Sequence, residues 1–279
     1  MQQIWWIDIP RDAKILKRKQ RSWLNLELRN DAKIGLSHAT SGETYLDYWR
    51  KQRYWRIFGQ GIARSRGSFN FIRTPINDAC GGNHRVLPID VGNANQMIEA
   101  GKSIKKLDSV IFLAVIYSPH SDTPKPIEFV HDMINVNLGG AFNTVYAVRD
   151  VFETQGYGHI ALCGSVAGYR GLPNGQPYCA TKSAIINYAE SLKIEMEPHN
   201  IKVQVINPGF VKTPLTDKND FQMPMIMETD SAAKALARGL LSKQFEINFP
   251  WKFTMIMKII RGLPQSLYFI LARQMRKRQ

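Results

Sequence analysis

Ser165, Tyr178 and Lys182 are the residues of this chain whose types and spacing could do chemistry. They lie in Gly164-Ser165-Val166-Ala167-Gly168 and in Pro177-Tyr178-Cys179-Ala180-Thr181-Lys182-Ser183-Ala184. A free phenol, with a pKa of about 10, exchanges protons poorly at neutral pH. An ammonium one helical turn away favours the phenolate and lowers that value. Tyr178 could then act as general acid towards a carbonyl and as general base towards an alcohol. Ser165 could hydrogen-bond the oxygen on which charge develops. With ten tyrosines and 37 basic residues in the chain, about one Tyr followed four positions later by Lys or Arg is expected by chance. The pair therefore gains its meaning from the elements that carry it.

Those elements are readable locally. His159-Ile160-Ala161-Leu162-Cys163 is a short apolar run between Gly158 and Gly164, as expected of a buried strand, and it puts Ser165 at a strand's carboxyl end. From Tyr178 to about Glu197, the residues Ala184, Ile185, Tyr188, Ala189, Leu192 and Met196 recur at helical spacing, with Pro177 at the start and Pro198 at the end. Tyr178 and Lys182 then share a helix face. A helix is expected over 93–105, a buried strand over 107–115, a long helix over 127–152, a strand over 201–207, a helix over 231–241 and a short strand at 245–247. Strands alternating with helices, with motifs at strand carboxyl ends, argue an α/β fold, a Rossmann-like doubly wound parallel sheet.

A serine at a strand end, thirteen positions before a tyrosine that opens a helix, with Ala180 and Ser183-Ala184 framing the lysine, resembles the short-chain dehydrogenase/reductase family. The resemblance runs from about residue 84 to 249. It implies an NAD(P)-dependent oxidoreductase that interconverts a carbonyl and a secondary alcohol, with Ser165, Tyr178 and Lys182 catalytic. Tyr178 and Lys182 would also contact the cofactor. Asn137 matches the asparagine with which many members hold a water in a proton relay behind the lysine; Asn135 takes its place if the register shifts.

The same resemblance supplies the cofactor-binding candidates. Lys33 to Ser37 could be a first strand, and Ser37, Ser41 and Gly42 stand where the family has its glycine-rich phosphate turn, although His38 occupies the place of the first glycine. If Arg53–Phe58 is a second strand, the turn after it carries Arg64 and Arg66 and no acidic residue, which favours NADP over NAD weakly. Arg85 to Val91 reads as a third strand, in which Asp90 and Val91 resemble the pair bordering the adenine. Leu113 and Val115 replace an asparagine and a glycine at the end of the next strand. Pro208, Gly209, Val211 and Thr213 match the loop that contacts the nicotinamide end. The methionine-containing segment 215–228 resembles the variable substrate lid and suggests an apolar substrate. Two readings stand: a working enzyme with an altered cofactor turn, or a catalytically impaired dehydrogenase-like protein.

A chain of 279 residues can bury a substantial core. The organisation expected is a basic extension over 1–32, a dehydrogenase-like region over 33–250 and an amphipathic basic tail over 251–279. The net charge of +14 draws on cations near the ends, among them Arg11, Lys14, Lys17, Arg18, Lys19 and Arg21 and, at the other end, Arg273, Arg276, Lys277 and Arg278. No nucleic-acid recognition module accompanies them, so no nucleic-acid partner is expected. Three cysteines without paired spacing suggest neither a disulfide framework nor a metal site. Ile4-Trp5-Trp6-Ile7 is too short for a signal peptide and no run spans a membrane, so a cytoplasmic location is expected. The tail alternates apolar and basic residues around Gly262-Leu263-Pro264. Contact with a membrane surface, cover of the substrate cleft and a homo-oligomer contact all fit that pattern.

Overall fold

The computed structural model describes residues 4–7, 89–118, 125–219 and 221–276. In chain order the strands are β1 (Ile4–Ile7), β2 (Ser109–Phe112), β3 (Gly158–Cys163), β4 (Ile201–Pro208) and β5 (Glu246–Phe249). The helices are α1 (Ala94–Lys102), α2 (Ile127–Ile134), α3 (Gly140–Gln155), α4 (Tyr178–Met196), α5 (Thr229–Leu241), α6 (Trp251–Gly262) and α7 (Gln265–Arg276). The expected strands at 33–37 and 53–58 lie outside the described residues, as do residues 85–88. Residues 89–91 carry no strand pairing, so the third strand is not found there.

The sheet has the order β1-β2-β3-β4-β5. Its four strands β2 to β5 are parallel, in registers such as Val110↔Ile160, Ile160↔Val203 and Val205↔Glu246. Parallel strands are buried on both faces and therefore read as continuous apolar runs; all four residues of β2 are buried. The period of two sorts those runs into two cores. Val110, Phe112, Ile160, Leu162, Val203 and Val205 pack with residues of α3 and α4 on one side. Ile111, Ala161, Cys163, Ile206, Ile247 and Phe249 meet Ala232, Ala233, Leu236, Ala237 and Leu240 of α5 on the other. Helices thus cover both faces, and the architecture is the expected Rossmann-like one.

At the edge, β1 pairs antiparallel with β2, Ile4 opposite Phe112 and Ile7 opposite Ser109. Residues 4–7 fall in the stretch expected to be a basic extension, because a four-residue apolar run does not announce its pairing partner. Local chemistry sets the helix ends. The Asn93 side chain caps α1 by accepting the Gln96 N–H at 3.1 Å, and Gly156, at φ 67°, closes α3 in the left-handed conformation. The long helix expected over 127–152 exists but is interrupted: residues Asn135–Gly139 form a π-helical turn between α2 and α3.

Candidate active site

Because β2, β3 and β4 are parallel, their carboxyl ends share one edge of the sheet, and the chemistry-bearing residues gather there. After β3 the chain makes a 3-10 turn, Val166–Gly168. Ser165 caps it, its Oγ accepting the Ala167 N–H at 3.1 Å. Gly168 lets this turn lie directly on α4, since a Cβ there would stand 2.7 Å from the backbone carbon and oxygen of Lys182. The close approach brings Ser165 beside Tyr178, where its hydroxyl favours the phenolate. One helical turn on, Lys182 is 1% exposed. Its Nζ donates to the Cys163 carbonyl at 2.8 Å and lies 5.7 Å from the centroid of the Tyr178 ring. The structure therefore assembles the three residues singled out by spacing.

Their electrostatics differ from the expectation. Burial, and then the neighbouring Cys163, push the Tyr178 phenol above its ordinary value, and the Ser165 hydroxyl beside it offsets only part of this. Lys182 is itself pushed down by burial. The anticipated lowering of Tyr178 by an adjacent ammonium is not present, because that ammonium is turned to the Cys163 carbonyl and is costly to keep charged where it sits. In this form the Tyr178 phenol keeps its proton at neutral pH. Cys179, next in sequence, is a buried free thiol; a Cβ on Gly175 would come within 2.3 Å of its sulfur, so its role is packing.

Asn137 occupies the π-helical turn and is fully buried. Its Oδ1 accepts the Ile116 N–H at 2.8 Å while its Nδ2 donates to the Ile116 carbonyl at 3.0 Å and approaches Thr181 Oγ1 at 3.5 Å. The amide clamps the chain leaving β2 to the helix that carries Lys182. Asn135, on the same turn, is exposed, so the register selects Asn137. π-Helical turns of this kind cluster at functional sites, where they re-aim one side chain.

The cofactor-binding candidates divide. Ser37, Ser41, Gly42 and Arg64 lie outside the described residues, as does His38. Asp90 accepts the Gly92 N–H on Oδ1 at 2.9 Å, and buried Val91 packs on Gly140, its carbonyl accepting from Asn143 Nδ2 at 2.8 Å. Pro208 ends β4, and the Gly209 N–H donates to Phe249 O at 2.8 Å. Val211 bridges to Met227 and its carbonyl accepts from Thr216 Oγ1 at 2.7 Å. The Thr213 hydroxyl is buried, 3.3 Å from that same Thr216 hydroxyl. Pro208 to Thr213 follow the carboxyl end of β4, on the edge of the sheet where β3 ends at Cys163, whose carbonyl holds Lys182. An ammonium can donate three hydrogen bonds, and Lys182 gives one to a neutral carbonyl, so its chemistry suits a hydroxyl-rich ribose. The described part of the site fits the nicotinamide end of a dinucleotide. Leu113, in place of the family's asparagine, is buried in the core beneath α5.

One participant escaped the sequence reading. Tyr117 stands edge-on to Tyr178, ring centroids 5.0 Å apart, and its hydroxyl donates to Asn219 Oδ1 at 2.8 Å. It thereby ties the segment 215–228 to the centre of the site. The partners are 102 positions apart, and no local motif marks either. In the same segment Phe221 packs against Phe210, which in turn contacts Phe253 of α6.

Comparison with known proteins gives this geometry a family. The family model "short chain dehydrogenase" matches residues 62–223. An uncharacterised oxidoreductase of Myxococcus xanthus is 30% identical over 235 residues, covering 83% of this chain and 92% of the relative. Human 17-beta-hydroxysteroid dehydrogenase 13 is 22% identical, over 86% of this chain and 80% of that protein. Among solved structures, a short chain dehydrogenase from Burkholderia cenocepacia in complex with NADP superposes with a TM-score of 0.58 at 21% identity. It covers 66% of this chain and 76% of its own. A short-chain dehydrogenase from Sphingobium yanoikuyae in complex with NADPH gives a TM-score of 0.52 at 19% identity, over 63% and 75%. With the sheet, the Ser165/Tyr178/Lys182 arrangement and these likenesses in agreement, the chain is a member of the short-chain dehydrogenase family of oxidoreductases.

Proposed function

We propose that the chain interconverts a carbonyl and a secondary alcohol at this site, with NADP(H) as hydride carrier. The observation that carries the reading is the packing of the Ser165 turn on α4 at Lys182, which sets Ser165 beside Tyr178 with fully buried Lys182 5.7 Å from the Tyr178 ring centroid. The bound nicotinamide supplies or accepts the hydride. Ser165 holds the substrate oxygen, and Tyr178 delivers its phenolic proton to that oxygen as the carbonyl is reduced, or removes it as the alcohol is oxidised. Lys182 binds the ribose hydroxyls with the N–H groups left over from its bond to the Cys163 carbonyl. Asn137 positions the chain after β2 and supports the relay behind Lys182. Asp90, Val91, Pro208, Gly209, Val211 and Thr213 border the dinucleotide, with Ser37, Ser41, Gly42 and Arg64 completing the phosphate end.

The preference for NADP rests on Arg64 and Arg66 and on the NADP and NADPH held by the two superposed relatives. An apolar substrate is favoured by the segment 215–228, whose Phe221, Met223, Met225, Ile226 and Met227 offer an adaptable hydrocarbon lining. The hydroxysteroid named for the human relative is of that class.

Titration of the purified protein with NADPH and NADH, followed by nucleotide fluorescence and thermal shift, tests the reading, with a screen of apolar ketones after it. Saturable binding, and turnover that Tyr178→Phe reduces by about 10²–10⁴-fold without loss of nucleotide binding, is the expected result. A folded protein that binds neither nucleotide overturns it and leaves the impaired, dehydrogenase-like reading that His38, Leu113 and Val115 suggest.

A further inference from the structure

Helix α6 is apolar on two sides. Its inner side is buried through Phe253, Thr254 and Met257, and Phe253 lies 5.5 Å from the Phe210 ring. Its outer side presents Trp251, Met255, Ile256 and Ile259 to solvent, Trp251 and Ile259 each 65% exposed. Spacing by four residues keeps Trp251, Met255 and Ile259 in one row. Helix α7 is held by Tyr268, whose hydroxyl donates to the Gly171 carbonyl and whose ring lies 4.4 Å beneath the Arg170 guanidinium. It leaves Leu267, Phe269 and Ile270 exposed. Apolar patches of this kind, on a folded chain, mark a surface built to be covered.

The charge around them says by what. From Trp251 to Gln279 the sequence contains Lys252, Lys258, Arg261, Arg273, Arg276, Lys277 and Arg278, and no Asp or Glu. A second copy of the chain, docked about a two-fold axis, would set this acid-free face against itself, so that every approaching charge is repulsive. A nucleic acid would match the cations but offer nothing to the row of Trp251, Met255 and Ile259. An interface of hydrocarbon beneath anionic headgroups matches both. We propose that α6 and α7 dock the protein on an anionic lipid surface. Trp251, Met255, Ile259, Leu267 and Ile270 enter the acyl boundary, while Lys252, Arg261, Arg273 and Arg276 meet the headgroups. On its inner side α6 reaches the segment 215–228, since Phe253 contacts Phe210 and Phe210 contacts Phe221. Resting on the reaction proposed above, that places the site where apolar substrates are dissolved.

Co-sedimentation of the full chain with vesicles of phosphatidylcholine, alone or mixed with phosphatidylserine, tests the docking without nucleotide and so independently of the reaction. Binding to the anionic vesicles, weakened by salt, is expected. The double variant Met255→Glu, Ile259→Glu, at two exposed positions and checked for an unchanged melting temperature, should bind at least tenfold more weakly. Lys252→Gln and Arg273→Gln should each cost about fivefold on anionic vesicles, a second test should the first variant not fold. Absence of sedimentation with anionic vesicles, or equal binding by parent and both sets of variants, overturns the proposal. A parent dimer that becomes monomeric in Met255→Glu, Ile259→Glu, with no vesicle binding by the parent, assigns the face to a second copy instead.

Discussion

At the scale of single residues, the protonation state of Tyr178 sets the direction in which the proposed reaction runs most readily. Burial and Cys163 raise the phenol's pKa, and Lys182 is spent on the Cys163 carbonyl. The free protein therefore holds the proton that carbonyl reduction needs, whereas alcohol oxidation must wait for the phenolate. Because the folded value lies above the ordinary phenol value of about 10, the deprotonated fraction grows about tenfold per pH unit throughout the range below it. We expect kcat/KM for oxidation to climb with a slope near one up to pH 10, while that for reduction stays flat over the same range. An oxidation plateau near neutrality would show that the phenol titrates far lower. The Tyr–Lys spacing was legible in the sequence, since four residues of helix place two side chains on one face. The sign of the shift was not, because it depends on which carbonyl the ammonium meets and on how much water the fold removes.

Between elements, the site depends on how closely the 3-10 turn after β3 rests on α4. Gly168 sets that distance, and the atoms a Cβ would meet there are backbone atoms of Lys182, which cannot swing aside. Gly168→Ala should push the turn, with Ser165, away from Tyr178. Overpacking of this kind costs about 1–3 kcal/mol of stability, and a displacement of about 1 Å in the site can lower turnover about 10²-fold. A thermal melt and steady-state kinetics on the same variant read both. The π-helical turn acts in the same register: it breaks the long helix where Asn137 must reach the Ile116 backbone. Sequence periodicity showed the long helix and the family resemblance named Asn137, but a one-residue change in winding leaves no mark in an apolar pattern. The β1–β2 pairing is likewise invisible locally, for a strand of four residues can join any free edge.

Across the whole molecule, a polar cluster ties the tail to the site. Glu246 of β5 accepts from the Tyr169 hydroxyl just after the 3-10 turn, from Asn207 Nδ2 at 2.7 Å at the end of β4, and from Lys258 Nζ of α6. Burial alone would raise the Glu246 pKa, yet the bonds from Lys258, Tyr169 and Asn207 outweigh it, and the net shift is downward. A carboxylate lowered in the folded state contributes stability that is present above its unfolded pKa, about 4.3, and is lost as pH falls through the folded value. Glu246→Gln should therefore destabilise by about 1–3 kcal/mol at neutral pH, and by less as the pH falls below about 4. Urea melts of parent and variant at pH 7 and at acid pH test this; an equal gap at both would place the stabilisation elsewhere.

By itself the sequence determined what depends on neighbours along the chain. Apolar runs specified β2, β3 and β4, the helical period and flanking prolines specified α4, and the spacing of Ser165, Tyr178 and Lys182 pointed to a proton-transfer site, which the family resemblance made dehydrogenase-like. Each of these rests on backbone periodicity, which a few adjacent residues suffice to set. Only the tertiary structure decided the rest: the latch from Tyr117 to Asn219, the Glu246 cluster, the edge pairing of β1, the upward shift of Tyr178 and the outward apolar row on α6. Those depend on groups tens of residues apart, brought together by burial, and burial is a property of the packed whole rather than of any stretch of chain.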